Sequence, residues 1–155
     1  MVLRVSGLTE KSKANPILGV SDAETVKLDF DDVSFSLVKF WALRVMKWFK
    51  LKGFIILKSS KDCYHVVFDR AVSWSQNMRI VAWVSLQSYS RSLCKWFLMQ
   101  CIKGCSTLRV SPKREKPSPR IVYRCGNQDE NVKDFLRNRR IIKKISQKMQ
   151  KKHGF

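Results

Sequence analysis

A chain of 155 residues that is 45% hydrophobic and 11% aromatic has apolar side chains enough for one domain with its own core, which excludes a disordered polyelectrolyte. Its 31 Lys and Arg against 12 Asp and Glu leave a net charge of +19, and the usual counterweight to such self-repulsion is a polyanion, nucleic acid before an anionic membrane surface. No apolar run reaches the length of a membrane span, and the residues after Val5 are too polar for a secretory leader, so the expectation is an intracellular, cytoplasmic protein without a membrane partner.

Residues 1–24 lack a clear period and read as a loose arm with a short strand near residues 3–5. Residues 26–31 then alternate as a strand, with Val26, Leu28 and Phe30 on one face and Lys27, Asp29 and Asp31 on the other. Two carboxylates about 7 Å apart on one strand face repel unless a cation joins them, and a divalent metal is the usual answer. Taken alone, such a pair is more often a solvated strand edge running into a helix cap at Asp32 or Ser34.

Residues 34–52 carry Leu37, Val38, Trp41, Val45, Trp48 and Phe49 at helical spacing, with Gly53 in the place of a C-terminal glycine. The apolar run 54–57 suits a central strand, residues 59–62 turn the chain, and 63–68 return as the second arm of an antiparallel hairpin. His65 lies on that return strand; a lone histidine there is more often a hydrogen-bonded core residue than a catalytic one. Two helices follow, over 71–89 and 92–103, the second ending at Gly104. The large aromatics fall on their buried stripes, so they read as core rather than as base-stacking platforms.

Residues 106–112 form a further strand, 113–119 a basic loop punctuated by prolines, and 120–124 a strand that stops at Gly126. Lys113, Arg114, Lys116 and Arg120 make the tip of this hairpin cationic, either a solvated loop or a finger that grips phosphate. The last helix, 131–153, has an apolar stripe through Val132, Phe135, Ile142 and Ile145 and a basic opposite face that includes Arg139, Arg140, Lys143 and Lys144; its end from Lys148 is expected to fray. The five cysteines, Cys63, Cys94, Cys101, Cys105 and Cys125, are odd in number and lack a paired C-x-x-C, so they read as free thiols rather than disulfides or zinc ligands.

The order D-x-D at Asp29 and Asp31, then a serine-rich turn with Tyr64-His65 on a strand, then Leu108-Arg109-Val110-Ser111-Pro112-Lys113, resembles the archaeo-eukaryotic primase superfamily, the primase-polymerases of archaea, eukaryotes, plasmids and viruses. The likeness covers residues 24–126. It implies that Asp29 and Asp31 hold Mg²⁺ or Mn²⁺. It also implies that Ser60, Lys61, His65, Arg109 and Lys113 hold a nucleoside triphosphate, with DNA or RNA as template. Arg114, Lys116, Arg120, Arg124, Arg139, Arg140, Lys143 and Lys144 would carry the nucleic acid. A helicase or other replication protein would be the partner, in a host cytoplasm if the source is viral. Two features depart from the family: Asp62 and Cys63 stand where its second-motif turn has glycine, and no Asp or Glu lies between Arg70 and Thr107, where it places a third carboxylate. Asp69 shares strand parity with His65 but lies about 13 Å further along the strand, a poor substitute.

The expected fold is α+β: a small palm-like or RRM-like sheet, mixed or antiparallel, with helices packed on one face. Residues 1–24 form the arm, 25–126 the primase-like core and 127–155 the basic helix and tail. The expected function is template-dependent nucleotidyl transfer, against two rivals, a non-catalytic basic nucleic-acid-binding protein and a metal-dependent nuclease. The enzymatic reading requires His65 on a strand neighbouring Asp29 and Asp31 and on the same open face, roughly 6–12 Å from the carboxylates and not bonded to them. Arg109 should reach that surface from a further strand.

Overall fold

A computed structural model of the chain describes residues 5–6 and 16–152. In chain order the elements are β1 (Val5–Ser6), β2 (Ile17–Asp22), β3 (Lys27–Phe30), α1 (Phe35–Trp48), β4 (Gly53–Ser60), β5 (Cys63–Asp69), α2 (Trp74–Ser88), α3 (Arg91–Lys103), β6 (Ser106–Arg109), β7 (Arg120–Gly126) and α4 (Asn131–Lys152). The protein is α+β. Its main sheet has the order β3-β5-β4-β7, and β1-β2-β6 form a second sheet; every pairing is antiparallel. None of the helices among the described residues is long and apolar enough to cross a membrane.

Alternation divides the core in two. Leu28, Phe30, Phe54, Ile56, Val66 and Phe68 meet Val38, Ala42 and Val45 of α1, Ile80, Val81 and Val84 of α2, and Leu93 of α3. On the opposite face Ile55, Leu57 and Val67 meet Leu18 and Val20 of β2, Leu108 of β6, and Val132, Phe135 and Ile142 of α4. Three helices thus share one face while α4 crosses the other beside the small sheet, so helices cover both faces where the sequence predicts one. The central strand β5 is buried along its whole length because both faces are covered.

Serines start the first three helices. The hydroxyls of Ser34, Ser73 and Ser90 accept from the backbone N–H groups of Leu37, Gln76 and Leu93, satisfying donors that a helix leaves unpaired at its first turn. Gly104 ends α3 at φ 71°, as its place in the sequence predicts.

Four further expectations are corrected. Gly53 does not close α1, which ends at Trp48 with Phe49 as its cap and Lys50 at φ 53°; Gly53 opens β4, where an added Cβ would clash with the Asn127 carbonyl oxygen. The strands 106–109 and 120–126 are not a hairpin, since β6 pairs with β2 and β7 with β4. Part of the supposed loose arm is the strand β2, whose middle residues are buried. The helix α4 holds through Lys152 rather than fraying from Lys148. Of the proposed strand at residues 3–5 only Val5 is described, as part of β1; the rest of it, and His153 with the end of the tail, lie outside the described residues.

Asp69 fixes α4 to the sheet. Its carboxylate is fully buried and accepts from the N–H groups of Glu130 (3.2 Å) and Val132 (2.9 Å), capping the helix from a distant strand. Asp69→Ala should therefore lower stability by about 2 kcal/mol, measured by urea unfolding, and speed amide exchange in the first turn of α4 ahead of the sheet.

Candidate functional site

The site grows from the register of β3 on β5. Asp29 stands directly opposite His65. Cross-strand partners point to the same side, so both side chains emerge on the face shared with β6 and α4. The imidazole Nε2 lies 3.5 Å from Asp29 Oδ1; the His65 side chain is 5% exposed and that of Asp29 26%. For Asp29 the shared face agrees with the sequence-based expectation; Asp31, one residue past the end of β3, lines a cleft on the helical side instead, and the separation of 6–12 Å is corrected. β5 is the neighbour of β3, as expected, but direct opposition in register brings the side chains to within contact distance. His65 stands behind Asp29 rather than in the open, so its expected place against the triphosphate, unbonded to the carboxylates, is corrected.

Burial sets the charge state of this pair. The Asp29 carboxyl is pushed up to about 7, first by desolvation and then by the Asp31 carboxylate, with Arg109, Lys116 and Lys113 pulling the other way. His65 is pushed down to about 3 by burial, helped by the Arg109 guanidinium, and is neutral at physiological pH. A carboxyl that resists ionising beside a second carboxylate is short of positive charge.

Asp31 follows the last residue of β3 and is exposed. Its backbone is clamped by Ser92 of α3, whose hydroxyl receives the Asp31 N–H at 3.1 Å and donates to the Asp31 carbonyl at 3.0 Å. The turn between β4 and β5 closes on the same end of the sheet, where the Val33 N–H donates to the Asp62 carbonyl at 3.0 Å. Ser60 and Lys61 are in that turn region, and Asp62 takes φ 52°. Aspartate tolerates this left-handed backbone.

Above the pair stands a basic finger, residues 110–119. Its tip is closed by two reciprocal backbone hydrogen bonds of 2.9 Å between Lys113 and Lys116, with Arg114 at φ 51°. Its base is held from two sides. Arg109 Nη1 donates to the carbonyls of Ser111 (2.6 Å) and Pro117 (3.0 Å), and Arg139 Nη2 donates to that of Pro119 (2.6 Å). Arg109 thus reaches the site from a further strand, as expected, yet commits one end of its guanidinium to the finger. Lys113, Arg114 and Lys116 remain exposed on it.

Beyond the finger the cations continue along β7 and α4. Arg139 is drawn down first by burial and then by Arg124, and Lys143 first by burial and then by Arg139, so these three crowd one another. Arg120 pairs with Lys58 at the start of β7, on the sheet face of Ile56, Tyr64 and Tyr123 rather than that of Arg124, and does not join this surface. Arg140 and Lys144, one position further round α4, are exposed on a different helical face and do not join it.

Of the residues named from sequence, Asp29, Asp31, His65, Arg109, Lys113 and Lys116 therefore converge at one end of the sheet, with Ser60 and Lys61 on the adjoining turn. Nothing in the sequence points to Ser92 or Pro117, nor to the Ser111 carbonyl as an acceptor for Arg109. Each acts through a backbone group or across a long loop, and no spacing announces such contacts. No three His, Cys, Asp or Glu side chains are grouped to hold an ion among the described residues. Two hard carboxylates fit one Mg²⁺ or Mn²⁺ that completes its shell with phosphate and water, and do not fit two ions caged by protein alone. No protein-family model matches the chain, and neither a curated protein nor a solved structure does.

Proposed function

We propose that this chain is a nucleic-acid-dependent nucleotidyltransferase of the primase-polymerase kind. The observation that carries the reading is the placement of a desolvated carboxylate, Asp29, in register with a neutral histidine and beneath a braced loop of cations. Asp29 and Asp31 would hold one Mg²⁺ or Mn²⁺, which supplies charge neutralisation at the reacting phosphate. His65 is a positioning residue: buried against Asp29, it fixes the carboxylate and excludes water. Lys113, Lys116 and the free part of Arg109 bind the triphosphate oxygens, Ser60 and Lys61 flank them, and the Arg124, Arg139 and Lys143 surface carries the nucleic-acid backbone. In the reaction a strand hydroxyl forms a bond to the α-phosphorus while the bond to pyrophosphate breaks, and the hydroxyl proton leaves to solvent.

A second reading, binding without chemistry, draws on the carboxylate set, which numbers two where the primase-like pattern has three. One assay with labelled template, nucleoside triphosphates and Mn²⁺ separates them. The wild type should extend the strand. The Asp29→Ala/Asp31→Ala variant should lose extension and saturable Mn²⁺ binding while holding the strand as tightly or more so, because two negative charges have gone. If the wild type shifts the strand but shows neither extension nor a saturable Mn²⁺ site, the binding module is the function.

A further inference from the structure

On the helical side of the same sheet end, a cleft of about 640 Å³ opens between the β3–α1 connection and the turn joining α2 to α3. Asp31 belongs to both places: it lines the cleft, and its charge acts on Asp29 and Arg109. A ligand in the cleft therefore meets Asp31, one member of the carboxylate pair. The volume falls in the range of sites that enclose a small molecule or a nucleotide unit.

The walls combine an aromatic ring, an apolar floor and two cations. Tyr89 caps α2 with φ 52° and ψ 23°, and the residue is 93% exposed. The left-handed backbone closes the helix, as at many helix C-termini, and turns the ring out over the cleft instead of into the core. Leu37, 52% exposed, and the partly buried Trp41 present the apolar side. Arg91 and Lys95, one helical turn apart on α3, are exposed and form no ion pair among the described residues.

We propose that this cleft holds a single-stranded segment of nucleic acid next to the Asp29 and Asp31 site, with one base stacked on Tyr89 against the Leu37 and Trp41 wall and the adjoining phosphates on Arg91 and Lys95. The proposal rests on the nucleic-acid reading above. A free ring and a nearby cation pair are what sequence-tolerant strand binding uses, and a base inside a duplex has no free face to offer. The charge balance favours a strand over a free triphosphate. Asp31 and Asp32 also line the cleft and offset the two cations, which suits backbone phosphates of one charge each and repels a polyphosphate.

The test compares a labelled oligothymidine eight-mer with an abasic eight-mer of the same backbone, using the full chain, Tyr89→Ala and Arg91→Ser/Lys95→Ser. Both variants alter exposed side chains and should match the wild type in thermal unfolding. Tyr89→Ala should weaken the oligothymidine about tenfold and leave the abasic strand unchanged. The double variant should weaken both strands and lower the salt slope by about 1.4, at about 0.7 for each of two phosphate contacts. A 4-thiothymidine strand should crosslink to Tyr89 or to the α1 wall. If Tyr89→Ala binds both strands as the wild type does, with crosslinks confined to the finger and α4, the proposal is wrong. It is equally wrong if Tyr89→Ala loses only binding of a free nucleoside triphosphate. Strand extension is scored separately. Extension with binding independent of Tyr89 sinks this proposal alone, and binding dependent on Tyr89 without extension sinks the enzymatic reading alone.

Discussion

In metal-free buffer Asp29→Asn is expected to be more stable than the wild-type chain at about pH 8, by up to roughly 4 kcal/mol, and to lose that advantage below about pH 4. The folded Asp29 carboxyl sits at about 7 against an ordinary 3.8, chiefly through burial and then through Asp31. Between those values the folded state binds the proton more tightly than the unfolded chain does. The stability this confers is complete below 3.8 and is lost as pH rises through 7. His65 runs the other way. Its folded value of about 3 lies below the ordinary 6.5, so its contribution is complete above 6.5 and is lost as pH falls towards 3. The two slopes oppose each other over roughly pH 4 to 6.5, where the wild type should be nearly level. Asp29→Asn should uncover the rising limb of His65, and His65→Gln the falling limb of Asp29. Urea midpoints across pH 4 to 8 for the three proteins measure this directly, and parallel profiles would sink the account. Mn²⁺ at pH 8 should then raise the midpoint of the wild type and not that of Asp29→Asn, since a ligand stabilises only the state that binds it.

That prediction depends on a contact which alternation alone does not supply. Alternation over residues 26–31 assigns Asp29 to the polar face and Leu28 and Phe30 to the core, and the structure keeps that division. It says nothing of register, and register sets the 3.5 Å between Asp29 and His65. The two glycines make the same point. Gly104 has the same appearance in sequence as Gly53, a glycine after an amphipathic run, and closes its helix as expected. Gly53 is instead required by the Cys125 and Asn127 backbone crossing over it, a partner 72 residues or more away in the chain.

Sheet membership was illegible for a related reason. The stretch 17–22 contains Gly19 and Ser21 and has the look of a loop, yet Leu18 and Val20 complete the second core cluster and the strand pairs with β6. Without β2 in view, the run at 106–109 had no visible partner except the strand that follows it. The basic finger was legible as composition. Its rigidity was not, because that comes from the Arg109 and Arg139 side chains reaching the carbonyls of Ser111, Pro117 and Pro119.

The other large effect is expected at the joint between the two sheets. Asp22→Ala should cost about 3–5 kcal/mol, whereas Lys27→Met should cost less than about 1.5 kcal/mol. Lys27 is fully buried in β3, on the face that carries Asp29. Its ammonium donates to Asp22 Oδ2 at 2.9 Å, to the Ser106 carbonyl at 3.1 Å and to the Ser106 hydroxyl at 3.4 Å. Burial already draws its pKa down, and Asp22 is the main force opposing that. Removing Asp22 leaves a buried cation with neutral partners only, and also deprives the Glu24 and Thr25 N–H groups of their acceptor. Removing Lys27 leaves Asp22 with 34% of its side chain in water and its two backbone partners intact. The Asp22→Ala/Lys27→Met pair should therefore be more stable than Asp22→Ala alone. The consequence reaches the site, because β6 carries Arg109 and with it the finger over Asp29. Asp22→Ala should weaken saturable Mn²⁺ binding at a urea concentration where the sheet is still folded, while Lys27→Met leaves it unchanged. Equal costs for the two single variants, with a double variant that is their simple sum, would show that Lys27 and Asp22 do not form the joint between the sheets.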